Sequence, residues 1–410
     1  MNYRAKFTVV LSSTVMVALL LFGTVVSKGA ASGDGGSDTT DVLKHLKVYT
    51  QVLSYIQTEY VEEPNIPNVT LGALNGLLEA IDPYASYLNA TQYKEYLKNS
   101  DAHPADLGLV LAKKYGYIVV VDAVPGSPAD KAGLTNGDYI ESINGVGSRD
   151  MPLAYANLLL RGDPASTVEL SILHRKPEPE KMTLTRAIVT NPPVESRMLD
   201  GELGYIKVTT LGTGKVREVA AATLDLQKQG AKKIILDLRS CAVGDPENGA
   251  DLANLFLGKG LITYAQGQKF PRKDYDAEAK NVISTLPLVV VTNRGTAAAA
   301  EVAAAGLQGS KRAALVGERT YGDASVLRPI TMDDGGAVIL SVAKYYTPDG
   351  KSIQDNGITP ESIVIDPTAG TGDPEEDDTV TPEATAAAAA KKSGEDVILN
   401  KAIEIAKARG

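Results

Sequence analysis

The chain has 410 residues, a formal net charge of −9, 44% hydrophobic and 22% charged residues, one cysteine and three histidines. This length allows two or three domains with substantial cores. The acidic balance and the lack of a basic stripe argue against a nucleic-acid partner. One cysteine excludes an intrachain disulfide, and so few cysteines and histidines argue against a transition-metal site. We therefore expect no metal and no other cofactor.

The first 31 residues have the pattern of an export signal. Arg4 and Lys6 precede an apolar run over residues 7–26, and small residues follow at 29–31. The run is long enough to span a bilayer if it is not cleaved. We expect the rest of the chain to work outside the cytoplasm, in a bacterial periplasm or on the outer face of the inner membrane. Membrane attachment through residues 7–26 stays open.

Residues 32–40 form a linker rich in Gly, Ser and Asp, and the segment after it has the spacing of a helix. Apolar side chains recur there every three or four positions, at Val42, Leu46, Tyr49, Leu53 and Ile56. We expect two shorter helices near residues 71–81 and 91–97. Residues 41–100 are thus predicted to be an N-terminal helical region.

Between residues 104 and 178 the pattern changes to short strands joined by tight, glycine-containing turns. We expect strands at 117–124, 139–143 and 168–172 and a helix at 152–160. Together with the phrases GSPADKAGL at 126–134 and NGDYIESING at 136–145, this order resembles a PDZ domain.

A PDZ domain binds a C-terminal peptide as an added strand, and backbone amides capture the carboxylate. The resemblance implies that Asp106-Leu107-Gly108-Leu109 is the carboxylate loop and that it faces the helix at 152–160. We expect Leu107, Gly108 and Leu109 to contact C-terminal protein tails or unfolded polypeptide. The alternative is a packing module without a ligand.

From residue 190 to 366, strands and helices alternate, which predicts βαβ units around a largely parallel sheet in an α/β core. We expect strands at 203–209, 233–238, 286–292, 314–317 and 337–345, and helices at 216–229 and 249–257. An alanine-rich helix follows the central strand, with Thr296 as its expected N-cap. Residues 367–410 are expected to be an acidic linker followed by an amphipathic helix at 397–408.

Several phrases in collinear order resemble the C-terminal processing peptidases, also called tail-specific proteases. They are DPYASYL at 82–88, the PDZ-like segment, DLRS at 237–240, VGERTYG at 316–322 and AKYYTPDGKSIQDNGITP at 343–360. The resemblance runs from about residue 41 to 366. It implies an α+β multidomain chain with an inserted PDZ domain and a serine-peptidase core related to the crotonase and Clp folds. It also implies a Ser–Lys catalytic dyad.

The positions that the resemblance assigns to catalysis hold other residues. Ala298 takes the place of the nucleophilic serine, Asp323 that of the general-base lysine, and Leu327 that of the glutamine that orients this lysine. The loop expected to bind the oxyanion contains Ala242, Val243 and Gly244. Acyl transfer needs an oxygen or sulfur nucleophile beside a base, and alanine has no such atom. An aspartate would also repel a developing oxyanion.

Three other side chains near the expected site could supply a nucleophile. Thr296 is better explained as an N-cap, and Ser325 near Asp323 as part of a turn hydrogen bond. Cys241 needs a cationic neighbour to become reactive. The histidines all lie outside the core, at positions His45, His103 and His174.

The sequence therefore predicts an exported, catalytically inactive relative of these peptidases. It would bind C-terminal tails, or it would pair with an active paralogue and regulate that paralogue. A homo-oligomer is also possible. Two alternatives from other classes stay open. One is an active serine-type endopeptidase with a non-standard site, and the other is a purely structural envelope protein.

Overall fold

A computed structural model describes residues 36–102, 104–149, 151–174, 178–366 and 396–409. The predicted export segment and most of the acidic linker lie outside these residues. The chain divides into two compact units, Met1–Val69 and Thr70–Gly410. Within the described ranges, no helix combines the length and the apolar character needed to cross a bilayer.

The first unit contains helix α1 (Gly36–Glu59) and the start of helix α2 (Ile66–Glu79). The side chain of Asn65 caps α2, because its oxygen accepts a hydrogen bond from the Asn68 amide at 3.1 Å. Pro67 fits the first turn, where a backbone donor is not needed. Both helices begin about five residues earlier than their apolar spacing indicates.

The N-terminal region is not wholly helical, which corrects the prediction for residues 41–100. Strand β1 (Ser86–Leu88) precedes helix α3 (Ala90–Ala102) and pairs antiparallel with residues 337–339. A three-residue strand is too short to show a period of two, and its partner lies about 250 residues away. Asn89 and Gln92 exchange side chain to backbone hydrogen bonds of 3.0 and 3.1 Å, a capping box that starts α3.

The PDZ-like domain is an antiparallel sheet with two helices. Its elements are β2 (Leu109–Lys114), β3 (Tyr117–Ala123), α4 (Pro128–Lys131), β4 (Tyr139–Ile143), β5 (Val146–Gly147), α5 (Leu153–Leu160), β6 (Thr167–Leu173) and β7 (Glu180–Thr185). The strand order is β2-β3-β4-β6-β7, so β2 is an edge strand of the described sheet. Fully buried side chains such as Ile118, Ile140 and Leu170 fill the space under this sheet.

The core domain contains the predicted alternation of strands and helices. Its elements are β8 (Glu195–Met198), β9 (Leu203–Lys207), α6 (Lys215–Lys228), β10 (Lys233–Asp237), α7 (Pro246–Asn254), β11 (Leu261–Gln266), β12 (Lys273–Asp276), β13 (Leu288–Thr292), α8 (Ala299–Gly309), β14 (Ala313–Gly317), β15 (Ser325–Thr331), β16 (Ala337–Tyr346), β17 (Ser362–Ile363) and α9 (Val397–Ala408). One sheet has the order β17-β14-β13-β10-β9-β8 and is parallel except for β8.

Strand β13 is buried along its whole length, as its continuous apolar sequence predicts. Alternate residues of the central strands face opposite sides of the sheet. Ile234 and Leu236 pack toward α6, α7 and α8, whereas Ile235 packs toward α9. The active-site region of the resemblance therefore lies at the carboxyl end of a sheet that is covered on both faces.

A second, antiparallel sheet was only partly predicted. It has the order β1-β16-β11-β12, and β15 also pairs with β16. The sequence pattern predicted β16 alone. Strand β15 is largely exposed and β12 is mostly polar, so neither shows the apolar period on which the prediction depended.

The C-terminal helix α9 is tied to the end of β10 by a network of charges. Asp396 accepts two hydrogen bonds from the Arg239 guanidinium at 2.8 and 2.9 Å. Arg239 also contacts the buried Asp237 carboxylate at 2.6 Å, and Lys207 reaches the same carboxylate at 3.2 Å. Burial opposes ionisation of Asp237, but Lys207 and Arg239 hold the pKa of its carboxyl below the ordinary value.

We predict that Asp237→Asn lowers the free energy of unfolding by about 3–5 kcal/mol, because it removes the fully buried charge that pairs with the half-buried Lys207 and Arg239, and Lys207 then has no carboxylate partner. The matched change Asp396→Asn should cost less than about 1 kcal/mol, because that side chain is 41% exposed. The Asp237 contribution is present above about pH 4 and is lost as the pH falls through its lowered pKa. Urea unfolding of both variants at pH 7 and pH 3 measures this, and equal losses at pH 7 would contradict it.

Candidate functional site

The turn from β13 into α8 has a strained backbone at Ala298. This residue has φ of 51° and ψ of −118° and stands immediately before the first helical residue. Such angles are rare for any residue but glycine, and they are kept only where the surroundings enforce them. A sharp, strained turn from strand to helix is how many hydrolases lift a nucleophile side chain out of the fold. Here the turn presents a methyl group.

Thr296 is not the N-cap of α8, so that prediction was wrong. The helix starts at Ala299, after the positive φ of Ala298. The Thr296 side chain is fully buried. Its hydroxyl donates to the Leu238 carbonyl at 2.9 Å and accepts from the Asn293 amide at 3.0 Å. Thr296 therefore fastens the turn to the end of β10.

The Glu301 carboxyl joins the two positions that the resemblance assigns to nucleophile and base. Its Oε2 accepts hydrogen bonds from the Ala298 amide at 3.2 Å and from the Asp323 amide at 2.8 Å. Its Oε1 accepts from the Thr320 hydroxyl and from the Gly322 amide at 2.7 Å. The structure thus brings Ala298 and Asp323 to one oxygen atom.

The loop that contains Ala242, Val243 and Gly244 also reaches this turn. The Cys241 carbonyl accepts from the Ala297 amide at 3.1 Å, and the Val243 carbonyl accepts from the Leu211 amide at 2.6 Å. Gly244 has a φ of 141°, and a Cβ there would lie 2.6 Å from the Leu211 carbonyl oxygen. Only glycine fits this close approach.

Asn293 holds the same loop from the other side. Its side-chain oxygen accepts hydrogen bonds from the Ser240 amide at 2.9 Å and the Gly295 amide at 3.1 Å. Ala298, Asp323 and the loop are therefore adjacent. Leu327 stands apart from them on β15, where it is 45% exposed, and its apolar side chain cannot orient a base.

The alternative nucleophiles have structural roles. The Thr296 hydroxyl is occupied as described above, and Ser325 Oγ is hydrogen-bonded to Ser341 Oγ at 3.0 Å across β15 and β16. Cys241 is buried in the core, and this burial raises the pKa of its thiol far above the ordinary value. A thiol in that state is a poor nucleophile.

The site is rich in carboxyl groups. Burial, and then the charges of Asp82 and Asp355, raise the pKa of Asp323 to about 7. Burial raises the pKa of Glu301 to about 8, although the hydrogen bonds from Thr320 and the backbone amides oppose this. In the described parts of the chain, no group of three or more His, Cys, Asp or Glu side chains could hold a metal ion.

The PDZ-like domain covers the site. Ala242 and Ala297 belong to its hydrophobic cluster, together with Tyr84 from the segment before β1. A cleft of about 410 Å³ remains between this domain and the segment that contains Tyr321 and Gly322. We call this packing of the PDZ-like domain on the turn the closed arrangement; Ala297 is buried by it, whereas Ala298 is only half-buried.

The expected carboxylate loop is folded against its own domain. Leu107 is fully buried, and the Gly108 amide donates to the Asp106 carboxylate at 2.7 Å. The carbonyls of Leu107 and Gly108 accept from the Ala129 and Val124 amides at 3.0 and 2.8 Å. Leu107 and Gly108 are buried with these backbone groups already engaged, so of the three residues predicted to contact a peptide only Leu109, at the start of β2, is partly exposed.

Comparisons with known proteins identify the family of this chain. Residues 202–364 match the model of Peptidase family S41, and residues 119–173 match a PDZ domain. The carboxy-terminal processing protease CtpA of Bacillus subtilis is 33% identical over 365 residues, which cover 87% of this chain and 76% of that protein. The carboxyl-terminal-processing protease of Synechocystis sp. is 32% identical over 321 residues, 76% of this chain and 75% of the relative.

Among solved structures, the photosystem II D1 C-terminal processing protease matches with a TM-score of 0.65 and 28% identity. The match covers 82% of this chain and 92% of the other. The chain therefore belongs to peptidase family S41, with carboxyl-terminal processing proteases among its relatives. The resemblance found in the sequence and the fold class that it implied are confirmed.

Sequence reasoning gave no role to the residues that hold the site together. Glu301 and Asn293 carry most of its hydrogen bonds. Glu301 ends the motif at 295–301 that the resemblance supplies, but a single carboxylate on a helix is weak evidence of a role, and Asn293 has no distinctive spacing. Asp82 accepts from the Tyr84 amide at 2.9 Å and from the Ser341 amide at 3.2 Å, and so ties the segment before β1 to β16. The DPYASYL phrase, which contains both Asp82 and Tyr84, was a second available signal.

We predict that Ala298→Gly stabilises the protein by about 1 kcal/mol or more, because glycine adopts these angles without the cost paid by alanine. The matched change Ala304→Gly in the interior of α8 should destabilise by about 1 kcal/mol. Thermal and urea unfolding of the two variants measures this. A loss of stability in both variants would show that Ala298 is not strained.

We predict that part of the stability disappears as the pH rises from 5 to 8. A buried carboxyl with a raised pKa favours the folded state while it is protonated, and it loses this contribution as the pH rises through that pKa. Asp323→Asn should flatten the decline by up to about 1.4 kcal/mol per pH unit. The exposed control Asp333→Asn should leave the profile unchanged. Urea midpoints across this pH range test both variants.

Proposed function

We propose that this protein is an exported, catalytically inactive member of its peptidase family that binds the C-terminal tails of other proteins. The carrying observation is the turn at Ala298, which keeps the conformation that presents a nucleophile but holds a methyl group. We place the protein in the periplasm or on the outer face of the inner membrane, with residues 7–26 as signal or anchor.

The chemistry of the site supports inactivity. No acyl-enzyme can form at Ala298, and Asp323 replaces a neutral lysine base with a group that is negative when deprotonated and would repel a developing oxyanion. Loss of one member of a catalytic unit costs about 10⁴–10⁶ in rate, and further losses add little. The neighbouring Thr296, Ser325 and Cys241 are engaged in hydrogen bonds or buried.

The PDZ-like domain supports tail binding. Edge strand β2 can accept a peptide as an added strand, and the loop at 106–109 stands at its beginning. Close to the other end of β2, the Lys113 ammonium contacts the Glu79 carboxylate at 2.6 Å, with the lysine side chain only 2% exposed. This ion pair fixes the domain to α2. We infer that tail binding competes with the closed arrangement.

An active serine-type endopeptidase is the second candidate, because the relatives in this family are named as processing proteases. In that case another hydroxyl or thiol would have to act. Regulation of an active paralogue is a further role of an inactive protein. If it binds the same tails as the paralogue, it would compete with the paralogue for them or deliver them to it.

The two candidates are separated by incubating the purified chain with unstructured substrates that end in apolar residues. We expect no cleavage above background from the natural chain or from Ala298→Ser alone, which still lacks a base. Combining Ala298→Ser with Asp323→Lys and Leu327→Gln should give measurable cleavage, because Glu301 still holds the two positions together. Mass spectrometry of the products measures the outcome.

Cleavage by the natural chain that is lost in Thr296→Ala, Ser325→Ala or Cys241→Ala would overturn the inactive proposal. Cleavage that survives all three changes would indicate a contaminating protease. A variant that unfolds is recognised by circular dichroism and is replaced by Thr296→Val or Cys241→Val, which keep the side-chain volume without a hydroxyl or thiol.

We predict that peptides with a free apolar C-terminus bind at least about tenfold more tightly than the same peptides with an amidated end. A charge-assisted hydrogen bond contributes about 1.5–3 kcal/mol, and the amide removes it. Glu79→Gln should raise affinity severalfold because it weakens the closed arrangement. The exposed control Glu169→Gln should not. Calorimetric titration measures both effects, and equal affinity for free and amidated peptides would favour a purely structural role.

A further inference from the structure

The part of the PDZ-like domain that meets the core domain contains a buried carboxyl group. Residues 118–123 of β3 are buried without interruption, which is the pattern of a strand covered on both faces. Asp122 lies in this run and is only 8% exposed. Its charge interacts with the Lys207 ammonium of β9 and with the Cys241 thiol, which both belong to the core domain. Asp122 therefore lies where the two domains meet.

The charges around Asp122 do not compensate for its burial. The Lys207 ammonium is already engaged with the Asp237 carboxylate, at 3.2 Å. Asp130 on α4 adds a like charge, and the Ala123 amide donates a hydrogen bond to the Asp122 carboxyl. Burial raises the pKa of Asp122 to about 7, although the Ala123 amide and Lys207 oppose this.

Asp323 approaches the same boundary from the core domain. The hydroxyl groups of Tyr84 and Tyr321 are hydrogen-bonded to each other, and both rings pack in the hydrophobic cluster of the PDZ-like domain. The negative charge of Asp323 acts on both hydroxyl groups, and Tyr139 of β4 acts on Tyr321 from the other side. Asp323 is therefore close to two tyrosines that the PDZ-like domain covers.

Other charged groups face Asp323. Asp82 and Asp355 repel its charge, and Glu301 acts on the same two tyrosines. The Lys344 ammonium contacts Asp355 at 2.7 Å. The cations that line the cleft between the domains are Lys113, Lys114, Arg294 and Arg319. Ionisation of Asp323 adds a negative charge to a region that already holds several carboxyl groups.

The closed arrangement keeps water from both carboxyl groups, and a carboxyl that loses water favours its neutral form. The closed arrangement therefore binds protons more tightly than one in which Asp122 and Asp323 reach solvent. Its proton-dependent stabilisation is complete below about pH 4, the ordinary pKa of an aspartate. It decreases as the pH rises and is lost above about pH 7. Each group changes the ratio of closed to open molecules by up to about tenfold per pH unit.

We propose that protons control the position of the PDZ-like domain, which is closed over the core in mildly acid surroundings and opens as Asp122 and Asp323 ionise. The ion pair of Lys113 with Glu79 holds the closed arrangement at a different place. Proton control needs neither a catalytic side chain nor a bound peptide, so it is independent of the proposed function. If tails bind the open arrangement, their apparent affinity rises with pH.

Energy transfer between two dyes on the full chain tests the proposal. Glu169 of β6 and Lys228 of α6 are exposed and lie in different domains. Glu169→Cys and Lys228→Cys carry the dyes, in a chain whose natural cysteine is removed by Cys241→Val. We expect transfer efficiency to change between pH 5 and pH 8.5, with the ratio of closed to open molecules falling at least about tenfold.

Asp122→Asn keeps the volume of the side chain and cannot ionise, so this variant should stay closed to a higher pH. Adding Asp323→Asn should reduce the change in the closed-to-open ratio to less than about twofold. The exposed control Asp333→Asn should follow the natural curve. If Asp122→Asn does not fold, Asp122→Leu replaces it as a neutral side chain of similar size.

Three results would overturn the proposal. One is a natural chain whose transfer efficiency does not change with pH, and another is a double variant that follows the natural curve. The third is a loss of helix content that accompanies the change in transfer, because the chain would then be unfolding; circular dichroism at each pH measures this.

Peptide titration separates this proposal from the proposed function. If both are correct, the affinity for a free apolar C-terminus rises between pH 5 and pH 8.5 in the natural chain and stays nearly constant in the double variant. A change in energy transfer without any peptide binding would support proton control and contradict tail binding. Peptide binding without a change in energy transfer would contradict proton control alone.

Discussion

The arrangement of this site depends on one buried carboxyl group. Glu301 accepts hydrogen bonds from the backbone of Ala298, Gly322 and Asp323 and from the Thr320 hydroxyl. Apart from that hydroxyl, the donors are main-chain amides, which do not depend on the side chains at positions 298 and 323. The turn and the facing loop can therefore keep their geometry while the catalytic side chains change.

This separation between scaffold and chemistry explains why the strain at Ala298 survives. A strained turn persists when its surroundings determine it, and here Glu301, Thr296 and Asn293 all fasten the backbone. The strain at Ala298 is a structural consequence of this network, because releasing the turn would leave a buried carboxyl and several amides without partners.

The sequence predicted those features that local pattern determines. The buried run of β13, the alternation around the parallel sheet and the turns of the PDZ-like domain all follow from periodicity and from glycine. The pairing of β1 with β16 could not be predicted in this way, because it joins segments about 250 residues apart through three residues. Nor could the start of α8, because the positive φ of Ala298 comes from tertiary contacts and not from its intrinsic preference. Comparison with family motifs located Ala298, Asp323 and the loop at 242–244, but the hydrogen bonds that join them belong to residues with no distinctive spacing.

The position of helix α9 has a consequence for the order in which this protein can fold. This helix covers Tyr205, Ile235, Val289 and Val291 on one face of the parallel sheet, and it follows the acidic linker. During synthesis, that face stays uncovered until residues 396–409 have been made. Completion of the core, including the Arg239–Asp396 contact beside the 242–244 loop, therefore waits for the synthesis of these residues. A chain interrupted in the acidic linker would present an apolar sheet face and would be recognisable as unfinished.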